Sequence, residues 1–261
     1  MKPSKNKIAI VTVNYNSPLS TIACIQSFEK QKKNHNLVYY VVNNGCTDNS
    51  DKLIDQKIKA TIIKSPKNLG FAGGNNLGLS RALSENCSHI LLINNDATVS
   101  SPSFFEHLLN SPYDISSSCI VSSSAKNKLV DHGGMVDWLF GRNTHRYDQG
   151  TVDYVSGACL FAKSETFKKV GELDERFFLY YEDADYCLRA KKLGLTIGVL
   201  PNIFIKHHLS LSTDRLGKKK NLILAQSHLL FCIKHLNIFA LPLYLSFNLF
   251  LRLRTFLPKK A

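Results

Sequence analysis

The chain has 261 residues, 44% of them hydrophobic, and a formal charge of +13. That length holds one or two domains with a large core, and the charge admits a nucleotide, a nucleic acid or an acidic membrane without choosing among them. Seven cysteines, an odd number with no CxxC pair, argue against a disulfide framework or a structural zinc site and fit a reducing, cytoplasmic setting.

The first 13 residues mix lysines with a strand-like run and lack a long apolar stretch, so no signal peptide is expected. Lys7–Val13 predicts a buried first strand, broken by Asn14-Tyr15-Asn16-Ser17-Pro18. The spacing of Leu19, Ile22, Ala23 and Ser27 predicts a helix over Ser20–Lys33. Leu37–Val42 reads as a second strand with the polar exit Asn43-Asn44-Gly45-Cys46-Thr47-Asp48. A helix over Ser50–Lys57 and a short strand over Ala60–Ile63 follow. A Gly/Asn-rich loop, Asn68–Asn76, runs into a helix from about Asn75 to Glu85, and the strand His89–Ile93 ends in Asn94-Asn95-Asp96. This recurring order of strand, polar loop and helix predicts an α/β fold with a mostly parallel sheet. Its polar residues gather at the carboxyl ends of the strands, where open α/β sheets hold ligands.

The second half is less regular. A short helix is expected over Pro102–Asn110, a strand region over Ile115–Ser124, and a long loop or hairpin over Asp131–Gly150. Val152–Ala162 reads as containing a strand around Ser156-Gly157-Ala158, followed by a short helix over Lys163–Val170. Asp183–Leu193 predicts a helix, and Leu195–Leu200 a strand ending before Pro201. From Asn221 to Leu257 the chain is rich in Leu, Ile and Phe. Its uncharged stretch, Leu236–Leu251, is 16 residues long and contains Pro242, which is short for a spanning helix. Lys218-Lys219-Lys220 precede it, and Arg252, Arg254, Lys259 and Lys260 follow. That pattern suits helices lying on an anionic membrane, with packing on the core or a subunit interface as the alternative.

Several residues carry candidate chemistry. Glu182-Asp183 follow the aromatic run Phe177, Phe178, Tyr180, Tyr181. Burial beside aromatics raises a carboxyl pKa and suits it to take a proton from a hydroxyl. The same pair could instead cap the following helix, or pair with Arg176, Arg189 and Lys191. Asp96, at a strand exit, could reach a divalent cation that bridges phosphates, or could be a turn acid. The Asn68–Asn76 loop has three glycines in nine residues and could admit an anion close to its backbone, or be a simple tight turn. It lacks the GK[ST] ending of a Walker loop. Asn14, Asn43, Asn44 and Asp48 could read a base and ribose, or serve Asx turns. Of His207 and His208, adjacent in an extended segment, only one should face a given site. No zinc finger, RNA-recognition signature or basic recognition helix supports nucleic-acid binding.

In order, Val11-Thr-Val-Asn-Tyr-Asn16, Val41-Val-Asn-Asn-Gly-Cys-Thr-Asp48, Asn68–Asn76, Leu91-Leu-Ile-Asn-Asn-Asp96, Ser156-Gly-Ala158, Gly171–Phe178, Glu182-Asp-Ala-Asp185 and His207-His208 resemble family 2 glycosyltransferases of the GT-A type. The likeness is strongest to the rhamnosyltransferase-like group that builds bacterial surface polysaccharides, and it covers about residues 7 to 213. It implies a GT-A domain over 1–213, with a donor-binding half (about 1–100) and an acceptor-binding half (about 101–213), then a basic, apolar helical extension over 214–261. It implies nucleotide-sugar contacts from Asn14, Asn43, Asp48, Asn68, Gly70, Phe71, Gly74, Asn75 and Asn95. It implies a divalent cation, Mn2+ or Mg2+, held by Asp96 and His207. Asp183 would be the general base with Glu182 beside it, and Ser156, Gly157, Ala158 and Tyr181 would meet the acceptor.

The implied reaction is an inverting transfer from a nucleotide-diphosphate sugar, dTDP-rhamnose or a UDP-hexose, to a saccharide or lipid-linked saccharide, at the inner face of the cell membrane. Two departures stand out. Asn43 replaces the usual acid after the second strand, and Asn94-Asn95-Asp96 carries one acid rather than two, which predicts weaker metal binding. These departures also support a second reading, a catalytically inactive nucleotide-sugar-binding or scaffold subunit.

Overall fold

A computed structural model of the protein describes residues 6–31, 34–122, 130–207, 219–236, 242 and 244–246. Strands β1 (Lys7–Asn14), β2 (Asn36–Asn44), β3 (Thr61–Ser65) and β4 (His89–Ile93) run parallel in the order β3-β2-β1-β4. Their near-continuous apolar runs follow from cover on both faces. Alternate side chains of β1 serve the two sides of the sheet. Ile8 and Ile10 join Ile22 and Ile25 of helix α1 (Pro18–Ser27), while Ala9 and Val11 join Leu79 and Ala82 of helix α3 (Gly70–Ser84). Helix α2 (Ser50–Lys57) links β2 to β3.

β5 (Ala97–Val99) and helix α4 (Phe104–Leu109) come next, then β6 (Ile115–Ser122). β7 (Val130–Asp131) pairs with β6, and β8 (Gly134–Asp137) with β9 (Arg142–His145) in a separate hairpin. β10 (Cys159–Lys163) lies antiparallel between β4 and β6. Helices α5 (Ser164–Val170) and α6 (Glu182–Lys192) lead to β11 (Ile197–His207), which is parallel to β6 and antiparallel to β5. The main sheet has nine strands, in a mixed but mostly co-directional arrangement. Helix α7 (Lys219–His235) packs back onto the domain through buried Ala225, Ser227, His228, Phe231 and Cys232.

Four of the differences from expectation are the largest or bear on the cavity. α1 starts at Pro18, whose fixed φ suits a first helical position, and ends at Ser27 rather than Lys33. α3 starts at Gly70 rather than Asn75, because one distant and one local asparagine side chain satisfy the amides at its start. Asn44 Oδ1 accepts from Leu69 N at 2.9 Å, and Asn68 Oδ1 accepts from Gly70 N at 2.9 Å. β11 runs through Pro201, with a register shift between Leu200 and Phe204 that accommodates the missing N–H. The strand expected around Ser156–Ala158 begins at Cys159, leaving Ser156–Ala158 as a bend beside β4. No helix among the described residues is long and apolar enough to cross a membrane.

Candidate active site

A cavity of about 740 Å³ opens at the carboxyl ends of β1, β2 and β4. Tyr15 and Asn44 line it from the first two strand exits, and Asn94, Asn95 and Asp96 from the third. The start of α3 contributes Asn68, Gly70, Phe71 and Asn75. The opposite wall is Ser156-Gly157-Ala158, Phe178–Tyr180, Glu182 and Asp183, and His207 closes one end.

Asn44 ties the floor together. Its amide donates to Asn68 Oδ1 at 3.1 Å and to the Gly70 carbonyl at 2.9 Å. Phe71 N donates to the Phe178 carbonyl at 2.7 Å, which joins the first wall to the second. Gly70 is needed here. Its φ is +75°, and a Cβ there would overlap the Phe178 carbonyl oxygen.

The aromatic run then turns sharply. Tyr180 and Tyr181 have φ of 71° and 70°, two consecutive non-glycine residues in the left-handed region. Such conformations cost of the order of 1–3 kcal/mol each and persist only where the surroundings enforce them. Tyr181 is held by Phe231 and His228 of α7, with ring centroids 5.0 and 5.7 Å away. The turn delivers Glu182 and Asp183 into the first turn of α6 at the cavity wall.

Asp183 is fixed by backbone amides. Gly157 N donates to Oδ2 at 2.9 Å, and Ala184 N to Oδ1 at 2.8 Å. Burial pushes its pKa above the usual carboxylate value, against the pull of these amides and of His145. Glu182 is 5% exposed, and its Oε2 has no hydrogen-bond partner among the described residues. Burial, then the adjacent Asp183 charge, push its pKa well upward. Arg176, Arg189 and Lys191 do not reach this pair; they bind Asp174, Asp185 and Asp153 instead.

At the other end, His207 Nε2 lies 2.9 Å from Asp96 Oδ1 and 3.0 Å from Asn94 Nδ2. Asp96 and His207 side chains are 11% and 12% exposed. One carboxylate oxygen and one imidazole nitrogen, converging at the cavity rim, could hold a hydrated divalent cation that completes its shell with ligand oxygens. Among the described residues no group of three His, Cys, Asp or Glu converges, so this donor set is a minimal one. His208 lies outside the described residues.

Of the predicted site residues, Asn68, Gly70, Phe71, Asn75, Asn95, Asp96, Ser156, Gly157, Ala158, Glu182, Asp183 and His207 line this one cavity. The other five do not. Asn14 is fully buried; its amide donates to Asn43 Oδ1 at 2.9 Å and its Oδ1 accepts from Thr21 at 2.9 Å. The pair therefore stitches β1, β2 and α1 behind the cavity. Asp48 accepts from Ser50 N at 3.1 Å and from Ser50 Oγ, a local turn at the start of α2. Gly74 lets α3 approach Val13, at 2.9 Å from a built Cβ, and Tyr181 packs on α7.

Other lining residues were not expected at the site, among them Asp131, His145, Tyr147, Lys220 and Leu224. His145 Nδ1 is 2.7 Å from Asp131 Oδ2, and that hydrogen bond raises the imidazole pKa. Asp131 and His145 fall in a segment read as a long loop or hairpin, where no local pattern marks them as site residues. Lys220 and Leu224 arrive from a helix distant in sequence. Asn44 was visible as one of two adjacent asparagines, and only the strand's alternation decides that it, not Asn43, faces the ligand side.

The sequence model of glycosyl transferase family 2 matches residues 9–171, which contain the three strand exits, the glycine-rich loop and Ser156–Ala158. The chain belongs to glycosyl transferase family 2. It is 29% identical over 149 residues to the low-salt glycan biosynthesis hexosyltransferase Agl10 of Haloferax volcanii, a match covering 52% of this chain and 48% of that protein. It is 24% identical over 212 residues to the dTDP-rhamnosyl transferase RfbF of Shigella flexneri, covering 77% and 69% respectively. The first of these relatives is thus matched over about half its length. Among solved structures, a Pyrobaculum calidifontis mannosyltransferase in complex with GDP-Man and Mn2+ superposes with a TM-score of 0.64 at 14% identity, over 97% of this chain and 72% of that one. GalNAc-T7 with UDP, GalNAc and Mn2+ gives 0.65 at 12% identity, over 81% and 45%. At these identities the likeness is one of fold: the GT-A-like arrangement of this family 2 chain.

Proposed function

We propose that the protein is an inverting glycosyltransferase that moves a sugar from a nucleotide-diphosphate donor to a saccharide or lipid-linked saccharide hydroxyl. The observation that carries this reading is Asp183, a half-buried carboxylate on the wall of the cavity that Asp96 and His207 close at its far end. The donor lies along the carboxyl ends of β1, β2 and β4, against Tyr15, Asn44 and the Asn68–Asn75 segment. Asn14 and Asn43 hold that floor in shape from behind rather than touching the base. The acceptor enters beside Ser156–Ala158, His145 and Tyr147.

Asp183 takes the proton from the acceptor hydroxyl as its oxygen attacks the anomeric carbon. The bond to the diphosphate oxygen breaks on the opposite side, so the anomeric configuration inverts and no sugar–enzyme bond forms. A raised pKa makes Asp183 a stronger base than an exposed aspartate, and the amides of Gly157 and Ala184 keep its oxygens in place. Asp96 and His207 would hold a divalent cation, Mn2+ or Mg2+, which would supply charge neutralisation for the departing nucleoside diphosphate. The names of the relatives favour dTDP-rhamnose, with a UDP-hexose as the other donor to test. The apolar, basic segment after α7 favours a peripheral site on the inner face of an anionic membrane.

The test is a donor panel assayed with membrane lipid extract, with and without Mn2+ or Mg2+, and product linkage read by NMR. The expected product has an inverted anomeric centre. Asp183→Asn should lower kcat by about 10²–10⁴ while donor binding is kept. Full transfer in that variant overturns the assignment of the base. Donor binding with no transfer to any acceptor favours the inactive binding subunit.

A further inference from the structure

The β8–β9 hairpin stands apart from the main sheet and ends in the turn Asp137-Trp138-Leu139-Phe140. Trp138 is 52% and Leu139 61% exposed, and Trp138 is the only tryptophan in the chain. This tip is built rather than loose. Asp137 Oδ1 accepts from Leu139 N at 3.1 Å and Phe140 N at 3.2 Å, and its Oδ2 accepts from Arg142 at 3.1 Å. The Arg142 guanidinium also lies 5.1 Å from the Phe140 ring centroid. The turn's hydrogen bonds are thus satisfied internally while Trp138 and Leu139 face solvent.

The base of the tip is seated on α7. His228 Nε2 is 2.8 Å from the Phe140 carbonyl, and Gly141 lies so close to Cys232 and Leu236 that a side chain there would overlap both. Beside Cys232, Ile233 is 62% exposed, and Leu222, three turns earlier on the same stripe, is 45% exposed. Leu245, farther along, is 48% exposed. Five of the ten large hydrophobic residues exposed among the described residues therefore belong to the hairpin tip, α7 and the segment after it. That segment begins where the tip meets α7. It is uncharged from Leu236 to Leu251 and then carries Arg252, Arg254, Lys259 and Lys260.

We propose that the Trp138–Leu139 tip is a membrane-insertion element which, with the outer face of α7, seats this domain on an anionic lipid bilayer. A half-exposed tryptophan beside aliphatic side chains matches the lipid–water boundary, where its ring is apolar and its N–H remains hydrated. A chain of charge +13 is attracted to anionic headgroups and is repelled by a second copy of itself, so a bilayer rather than self-association fits the patch. The tip fixes orientation, because a tail alone tethers a domain and leaves it free to rotate. α7 carries both the seated face and the cavity residues Lys220 and Leu224, so the docked protein holds its cavity at a set position relative to the lipid surface. This deepens the membrane-side acceptor reading and rests on it for its purpose, though the test below reads binding directly.

Because Trp138 is the only tryptophan, its fluorescence reports from the tip itself. The full chain is titrated with phosphatidylcholine vesicles with and without phosphatidylglycerol, and with vesicles whose acyl chains are brominated. The expected result is a saturable blue shift and bromine quenching with phosphatidylglycerol vesicles, both weakened by salt. Leu139→Ser should weaken vesicle binding by roughly tenfold, with unchanged thermal unfolding and unchanged transfer to a water-soluble acceptor. Three results overturn the proposal. The protein could sediment with vesicles while Trp138 emission stays unshifted and unquenched, could fail to bind them, or could show the shift on concentration without lipid. Loss of transfer to the soluble acceptor in the wild-type chain, with Trp138 shifted and quenched, counts against the glycosyltransferase reading and not against the tip.

Discussion

Asp183 and Glu182 are adjacent carboxyl groups whose surroundings give them different properties. Asp183 has two amide donors and the His145 imidazole nearby, whereas Glu182 Oε2 is buried without a hydrogen bond among the described residues. Transfer should therefore fall as pH drops through the raised pKa of Asp183, above the ordinary aspartate value of about 3.9. Protonated His145, held by Asp131, favours the ionised form of Asp183. His145→Gln removes that charge, so the acid limb of a kcat/KM profile should move to higher pH. A limb that stays put separates His145 from the base. Glu182 has a stability consequence of defined sign. Its folded pKa is raised, so the native state keeps a proton that the unfolded chain releases, and stability falls as pH rises above about 4.3. Glu182→Gln should raise Tm at pH 8, by about 2–4 °C for each kcal/mol recovered, with the gain vanishing near pH 4. Calorimetry across that range checks it.

At the scale of elements, helix α6, which carries Asp183, depends on α7. Asp185, fully buried one turn inside α6, meets Arg189 at 2.9 Å, Lys234 at 2.5 Å and His235 at 2.8 Å. Burial opposes its ionisation, but these three donors outweigh burial and hold its pKa below the ordinary value. Lys234 also reaches Asp174 at 2.6 Å, and Ser227 Oγ donates to the Leu179 carbonyl at 2.8 Å. These contacts clamp the segment that contains the left-handed Tyr180 and Tyr181. Asp185→Asn removes the buried charge that Arg189 and Lys234 share and should cost about 3 kcal/mol, the lower end for a broken buried pair, in urea unfolding. A loss below about 1 kcal/mol, the range of an exposed pair, contradicts the clamp. The element boundaries show what local sequence carries. β1, β2 and β4 were legible because apolar runs ending in polar clusters are a local signal. The start of α3 was not, because Asn44 and the Phe178 carbonyl, which satisfy its first amides, come from distant parts of the chain.

Across the whole molecule, the sheet supplies one wall of the cavity and the α6–α7 unit the other. α7 is thus part of the domain's packing, with Phe231 fully buried against Tyr181 and His235. Deleting residues 219–261 removes Lys220 and Leu224 from the cavity and uncovers Tyr181. The shortened chain should unfold at a clearly lower urea midpoint and lose transfer to every acceptor. A midpoint equal to that of the full chain refutes a packing role for α7. The separation of α7's inner and outer faces also explains why composition alone left its role open. One stripe is buried under Ser227, His228 and Phe231, while Leu222 and Ile233 face outward.

The sequence alone determined the parallel α/β frame, the polar strand exits, and the family, because those depend on periodicity and on ordered motifs of neighbouring residues. It marked Asp183 and Asp96 as candidate acids for the same reason. Tertiary structure decided which residues meet. It turned Asn14 and Asn43 inward and Asn44 toward the cavity, brought Asp131 and His145 beside Asp183, and laid α7 across the turn at Tyr180 and Tyr181. Those outcomes depend on strand alternation at a given register and on contacts between residues far apart in the chain, neither of which a local pattern encodes.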